Sequence, residues 1–111
     1  MAFYQLDNIK PELVTPKHST AFGPLVTGDH VEVGVLQYKA GEGARPHAHP
    51  HEQIILVLRG RVRMTVGDEV SELTGRQGAH IPPHVPHRLE AIEDSEIVSC
   101  KNVIDGVGHK I

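Results

Sequence analysis

The sequence predicts an all-β domain, a sandwich or closed barrel of short strands with little helix. Three observations carry that expectation. Eleven glycines and eight prolines punctuate short apolar runs at fairly even spacing, the pattern of strands separated by turns. Several of those runs alternate apolar and polar residues with a period of two, as a strand with one buried face does. Helix signals are weak and confined to about one turn near Leu6–Leu13.

Taken in chain order, strands are expected at Thr20–Val26, Val31–Tyr38, Glu52–Arg59, Arg61–Val66, Val70–Leu73, Ala79–Pro82, His87–Ala91 and Glu96–Val103. The clearest hairpin joins Arg61–Val66 to Glu69–Leu73 through Gly67-Asp68, a two-residue turn that asks for a positive φ at the glycine. In its first strand Val62, Met64 and Val66 alternate with Arg61, Arg63 and Thr65. The apolar set should face inward and the basic set outward. The run Ile54-Ile55-Leu56-Val57-Leu58 is apolar on both faces. Such a strand should be covered twice, by the barrel interior and by a second sheet or a partner subunit.

With 111 residues the chain has enough length for one domain and one core. The expected division is a single domain over 1–111, its core roughly 20–104, with an extension at each end. Only Phe3, Tyr4, Phe22 and Tyr38 are aromatic and there is no Trp, so aliphatic side chains must fill the interior. The formal net charge of −3 is spread with mixed signs, which leaves no basic footprint for nucleic acid. No apolar run approaches the roughly 20 residues of a membrane span. The start MAFYQLDNIKPEL lacks the basic and apolar segments of a signal peptide. A single cysteine, Cys100, rules out an internal disulfide framework and fits a reducing cytoplasm. On the last strand it should be a buried, inert thiol.

Nine histidines are far more than a chain of this size ordinarily holds, and His47, His49, His51, His80, His84 and His87 fall in one stretch. His47 and His49 are two apart, so in extended backbone they project to the same side. Gln53 shares their parity. His87 follows the proline-rich turn Ile81-Pro-Pro-His-Val-Pro86 and begins another strand, from which it can close a site across a barrel. Imidazole nitrogens suit borderline first-row metals. His51 is expected to point outward to the surface. His80 reads as a core or interface residue and His84 as a structural turn residue. Tyr38, Glu32 and Lys101 lie on strands that can face a cavity, and any of them can serve as an acid–base group. The tail from Asn102 to Ile111, with two glycines and a histidine, reads as a structural tail that either folds over a barrel mouth or trails off.

The segment Gly41–Gly60 resembles the first motif of the cupins: a Gly, five residues, His-x-His, three or four residues, an acidic or amide ligand, six residues, Gly. Here these positions fall on Gly41, His47, His49, Gln53 and Gly60. The second motif, Gly-five-Pro-x-Gly-two-His, is matched at Pro82 and His87. Arg76 sits where its first Gly is expected, with Gly75 one place early. His84 replaces its second Gly, and Ala91 stands where an Asn is often found. The resemblance implies a jelly-roll barrel of two antiparallel sheets, of the RmlC-like type, with a metal near one mouth. It implies His47, His49, Gln53 and His87 as ligands, although the family more often has Glu at the position of Gln53. It also implies a homodimer paired through a sheet.

Three neutral imidazoles and a neutral amide leave a divalent ion its full charge, which burial amplifies. Open coordination positions should then favour anionic bidentate oxygen ligands such as enolates, α-keto or hydroxy acids and diketones. The expected cofactor is one divalent transition metal (manganese, iron, cobalt, nickel, copper or zinc), and the expected partner a small anionic ligand. The expected activity is a metal-dependent enzyme on a small oxygenated metabolite, of dioxygenase, isomerase or lyase type. The alternatives are a non-catalytic binding or sensor protein, and a protein whose metal is structural. No residue is assigned as catalytic.

Overall fold

In the computed structural model, which describes residues 2–111, the chain builds two antiparallel sheets. The strands are β1 (Glu12–Leu13), β2 (Phe22–Gly23), β3 (Leu25–Thr27), β4 (Val31–Tyr38), β5 (Gly43–His47), β6 (Gln53–Arg59), β7 (Arg61–Val66), β8 (Glu69–Thr74), β9 (Gly78–Ile81), β10 (His87–Ala91) and β11 (Ser95–Asn102). The larger sheet runs β1-β2-β4-β11-β6-β9 with β3 also paired to β4, and the smaller runs β5-β10-β7-β8. Neighbours far apart in sequence, β4 beside β11 and β5 beside β10, give the crossed-over order of a jelly roll.

Most expected strands are present, and the departures have local causes. Pro24 cannot donate to a ladder, so the single strand expected over Thr20–Val26 divides into β2 and β3 around it. The segment carrying His47 is itself a strand, β5, despite Pro46. It is held at the edge of the smaller sheet, where a missing N–H is tolerated. The turn near Leu6–Leu13 is a 3-10 turn at Leu6–Asn8 only, and Glu12–Leu13 pairs as a short strand. Gly67 has a φ of 58° in its hairpin, as that turn demands. No helix among the described residues is long and apolar enough to cross a membrane.

The interior is graded from one end to the other. Alternation along β4, β6 and β11 turns Leu36, Val57 and Ile97 inward at one end, where Val62, Met64, Leu89 and Ala91 meet them from the smaller sheet. At the other end the same alternation turns Glu32, Gln53, Ser99 and Lys101 inward, all buried. Tyr38 is the only aromatic residue of that core, so aliphatic packing does fill the barrel. Burial of such side chains contributes roughly 1.5–3 kcal/mol each, which is what holds the polar end in place.

Outside, the two sheets differ. Arg61 and Arg63 point to solvent from β7 and pair with Glu72, Glu90 and Glu93. The outer face of β6 is instead apolar: Ile54, Leu56 and Leu58 are 46%, 47% and 48% exposed, while Ile55 and Val57 are buried. Within one chain, therefore, the strand expected to be covered twice is covered once. Cys100, on the same outer side, is half-buried rather than buried.

The second motif keeps its geometry without its glycines. Arg76 and His84 adopt φ values of 73° and 66°, left-handed backbone that costs an L-residue with a side chain roughly 1–2 kcal/mol. His84 N–H donates to the His49 carbonyl at 2.8 Å, a bond that ties this turn to the first motif.

Candidate metal centre

Register places the histidines. His87 at the start of β10 lies directly opposite His47 at the end of β5, and His49 follows two residues later, buried in the loop before β6. Their ring centroids are 4.4 Å (His47–His87), 4.7 Å (His49–His87) and 5.7 Å (His47–His49) apart. Each offers a ring nitrogen within 4.8 Å of the others, close enough to hold one ion between them.

Each ring is turned by a backbone carbonyl two residues away. His47 Nδ1–H donates to the Arg45 carbonyl at 2.6 Å, His49 Nδ1–H to that of His51 at 3.0 Å and His87 Nδ1–H to that of Val85 at 2.9 Å. A carbonyl only accepts, so the proton of each neutral ring sits on Nδ1 and the lone pair on Nε2. Such bonds fix tautomer and ring orientation in metal-ligating histidines. His87 Nε2 is buried and has no hydrogen-bond partner. His49 Nε2 faces Gln53 Oε1 at 3.1 Å.

Burial pushes all three imidazoles below their ordinary pKa, His49 down to about 4, with the Lys101 ammonium contributing. They are neutral at physiological pH, as ligation requires. A fourth ring, His18, stacks on His47 with centroids 4.7 Å and planes 8° apart, on the outer side of the cluster. Its place beside the site was not legible in sequence, because it lies 29 residues before His47.

The pairing of β4, β11 and β6 settles which of the other candidates face inward. Glu32, Lys101 and Gln53 are successive cross-strand partners in one row. Lys101 lines the interior space together with His47, Gln53, His87, Tyr38 and Ser99. Burial lowers its pKa to about 8, against the opposing pull of Glu32. Tyr38 also lines that space, its hydroxyl 3.0 Å from Ser19 Oγ, and burial raises its pKa. The free space is small, about 30 Å³, room for roughly one or two waters.

For the remaining histidines one expectation is corrected and one is narrowed. His51 does not point to the surface: it is 3% exposed and its Nε2 is 2.8 Å from the Val107 carbonyl. His51 shares the odd parity of His47, His49 and Gln53, and the tail covers the ring. His80 is not a core residue: it stands on the outer face of β9, beside Ile54 of β6, and pairs with Glu52 at 2.7 Å. His84 is a turn residue, as expected.

The tail folds over the polar end of the barrel. His109 is buried there, its Nε2 2.8 Å from Ser99 Oγ and its Nδ1 2.5 Å from Glu32 Oε1. Burial and the Lys101 charge lower its pKa to about 4 despite Glu32. Burial raises the Glu32 pKa, but bonds from Thr27 and His109 outweigh it and keep the group below the usual carboxylate range. Neither Ser99 nor His109 stood out in sequence as a site residue. The only signal was a histidine following Gly-Val-Gly in the tail.

Residues 34–100 match the cupin domain family. The chain belongs to the cupins. Over 75 residues, 67% of this chain, it is 42% identical to a Bacillus subtilis protein named H2HPP isomerase. The match covers 31% of that protein, so this chain aligns with about a third of its length. Among solved structures it is similar to an RmlC-like cupin from Shewanella frigidimarina, with a TM-score of 0.82 at 17% identity, covering 92% of this chain and 90% of that one. It is also similar to KdgF from a Halomonas species, with a TM-score of 0.80 at 21% identity, covering 92% and 93%. These two likenesses show the RmlC-like fold.

Proposed function

We propose that this cupin binds one divalent transition metal through His47, His49 and His87 Nε2 and Gln53 Oε1, and acts on a small anionic oxygenated metabolite as an isomerase or lyase. One observation carries the metal. Three imidazole lone pairs and an amide oxygen converge, and local carbonyls have taken every ring proton away from the point of convergence. Lone pairs so aimed repel one another unless a cation lies between them. The orphaned His87 Nε2, buried without a donor, supports the same reading.

A divalent ion held there supplies Lewis acidity toward an enol or carbonyl oxygen. The chain contributes the rest. The ligand set is neutral, and Lys101 adds a further buried cation, against Glu32 as the only buried carboxylate among the described residues. An interior so short of negative charge favours an anion. The Lys101 ammonium lines the space, and it is the group that holds the ligand's carboxylate. The likeness to an isomerase over two thirds of the chain favours proton movement at carbon over oxygenative cleavage. The narrow interior favours the second reading, a non-catalytic protein that binds a small anion.

The test is elemental analysis of untagged protein, followed by proton exchange in D2O on 2-oxo acids observed by NMR. About one metal per chain and exchange α to the carbonyl support the enzyme. Metal and anion binding without exchange would establish the binding protein instead, and a metal-free protein that takes up no added metal would overturn the site.

The chain also forms a homodimer through the outer face of the larger sheet. Ile54, Leu56 and Leu58 stand there with Val31 and Phe22, all exposed in one chain, a patch that monomers rarely tolerate. Light scattering should give about twice 12.1 kDa, and Leu56→Lys should halve it. A wild-type mass near that of one chain at tens of micromolar overturns the dimer.

A further inference from the structure

The side chain of Gln53 reads nearly the same whichever way round its amide sits, yet only one orientation turns oxygen toward the histidines. We propose that His109, in the C-terminal tail, is a positioning residue for the metal centre, fixing the Gln53 amide through Ser99 with its oxygen toward the ion. The inference rests on the metal reading above and goes beyond it.

Donors and acceptors can be followed along the chain of contacts one proton at a time. Glu32 accepts at Oε2 from the Thr27 hydroxyl at 2.6 Å, and at Oε1 from the His109 backbone N–H at 2.6 Å and from His109 Nδ1–H at 2.5 Å. Because the carboxylate has no proton to give, His109 Nδ1 must carry one. In the neutral ring Nε2 is then an acceptor. Ser99 Oγ, 2.8 Å away, must donate its only proton to it. That leaves Ser99 Oγ an acceptor toward Gln53, and the amide group 2.9 Å from it must be the NH2. The amide oxygen is thereby turned to His49 Nε2, 3.1 Å away, whose own proton is committed to the His51 carbonyl. The reversed amide would set oxygen against an oxygen with no proton left to share.

The tail is seated as this arrangement requires. Thr15 Oγ1–H donates to the His109 carbonyl at 2.6 Å, and His51 Nε2–H donates to that of Val107 at 2.8 Å. Gly108 passes so close to Glu32 that an added Cβ would lie 2.5 Å from its Oε1 and 2.8 Å from its Cδ. Any side chain at 108 drives the carboxylate off His109. The same logic accounts for an amide at position 53. A carboxylate there only accepts, so Ser99 would have to turn its proton away from His109.

The experiment is a cobalt(II) titration, read by visible absorption, of wild type, Ser99→Ala, His109→Phe, Gln53→Ala and the Gln53→Ala/His109→Phe pair. Outer partners of metal ligands typically alter affinity about 10- to 100-fold. Ser99→Ala and His109→Phe should each weaken cobalt at least ten-fold and reproduce the Gln53→Ala spectrum. In the Gln53→Ala background, His109→Phe should add no more than roughly two-fold, the ordinary error of additivity. A full loss persisting in that background would show that the tail acts on the fold alone and overturn the proposal, as would unchanged affinity in both single variants. Should His109→Phe fail to fold, Ser99→Ala decides, since it lies within β11 and leaves the tail sequence intact. Wild type that binds no cobalt sinks the metal reading itself. Wild type that binds while Ser99→Ala and His109→Phe bind equally well sinks only the positioning role.

Discussion

The two sides of the candidate metal centre are held in different ways. On one side His47, His49 and His87 are each oriented by a carbonyl two residues along the chain. On the other, Gln53 is oriented by Ser99, 46 residues away, and Ser99 in turn by His109, whose anchor Glu32 is 77 residues distant. A local contact forms whenever its short segment is extended in the right register. A long-range chain exists only when the barrel has closed and the tail has docked. The ring orientations on the histidine side should therefore tolerate damage to the tail, whereas the glutamine side should fail with it.

The largest effect should come from the local side. Changing His47 and His49 together to Ala deletes two of the four proposed ligands, and metal affinity should fall by more than the roughly 100-fold that outer partners can cost. Equilibrium dialysis checks it, and full occupancy in the double variant would contradict the assigned ligands.

Stripping the metal tests both sides at once. At metal concentrations near 100 times the dissociation constant, binding stabilises the native state by about 2.7 kcal/mol, worth roughly 10 °C in a domain of this size. The difference should persist below the ordinary histidine range and fade only as pH falls toward the lowered values of the ligands, about 4 for His49, where protons compete with the ion. Equal melting temperatures with and without chelator at pH 7.5 would argue against a bound metal.

Metal-free protein separates the two sides by pH. His49 on the local side and His109 on the long-range side both have pKa values lowered by burial to about 4. Between the ordinary histidine value and that point the unfolded chain binds more protons than the native one. Stability should thus be unaffected by these groups above about pH 6.5, and fall as pH drops toward 4, by about 1.4 kcal/mol per pH unit for each. Urea denaturation across that range should show a shallower fall in His109→Phe than in wild type. Equal slopes would mean His109 is not buried neutral.

Charge at position 53 gives a smaller effect. Gln53→Glu cancels one unit of positive charge, and unit charges about 4 Å apart interact by roughly 4 kcal/mol at an effective dielectric near 20. Calorimetric titration with oxalate should show at least a ten-fold weaker probe in the metal-loaded variant, given screening and rearrangement around Ser99. Undiminished oxalate binding would remove the case for anionic substrates. The smallest effect should be His84→Gly. Relief of left-handed strain, roughly 1–2 kcal/mol, is offset by the entropy of glycine, roughly 0.5–1 kcal/mol. A gain of roughly 0–1.5 kcal/mol should appear in urea melts, and a clear loss would mean the His84 side chain does more than form a turn.

The sequence by itself determined the barrel, most of its strands and the histidine side of the site. Alternation is a local property, and the spacing of His47, His49, Gln53 and His87 is written along the chain. The tertiary structure alone decided what lies behind those ligands. Parity could not say whether Glu32 or Lys101 faces inward, because a strand's burial depends on its neighbours; pairing β4, β11 and β6 put both in one row with Gln53. It could not foresee that the tail would cover His51, or that β9 would leave His80 on the outer face beside Glu52. Nor could any pattern in residues 103–111 announce a buried histidine. Its partners Thr15, Glu32 and Ser99 lie on segments that meet only once the sheets have stacked, and a hydrogen bond between distant residues leaves no periodic trace in the sequence that makes it.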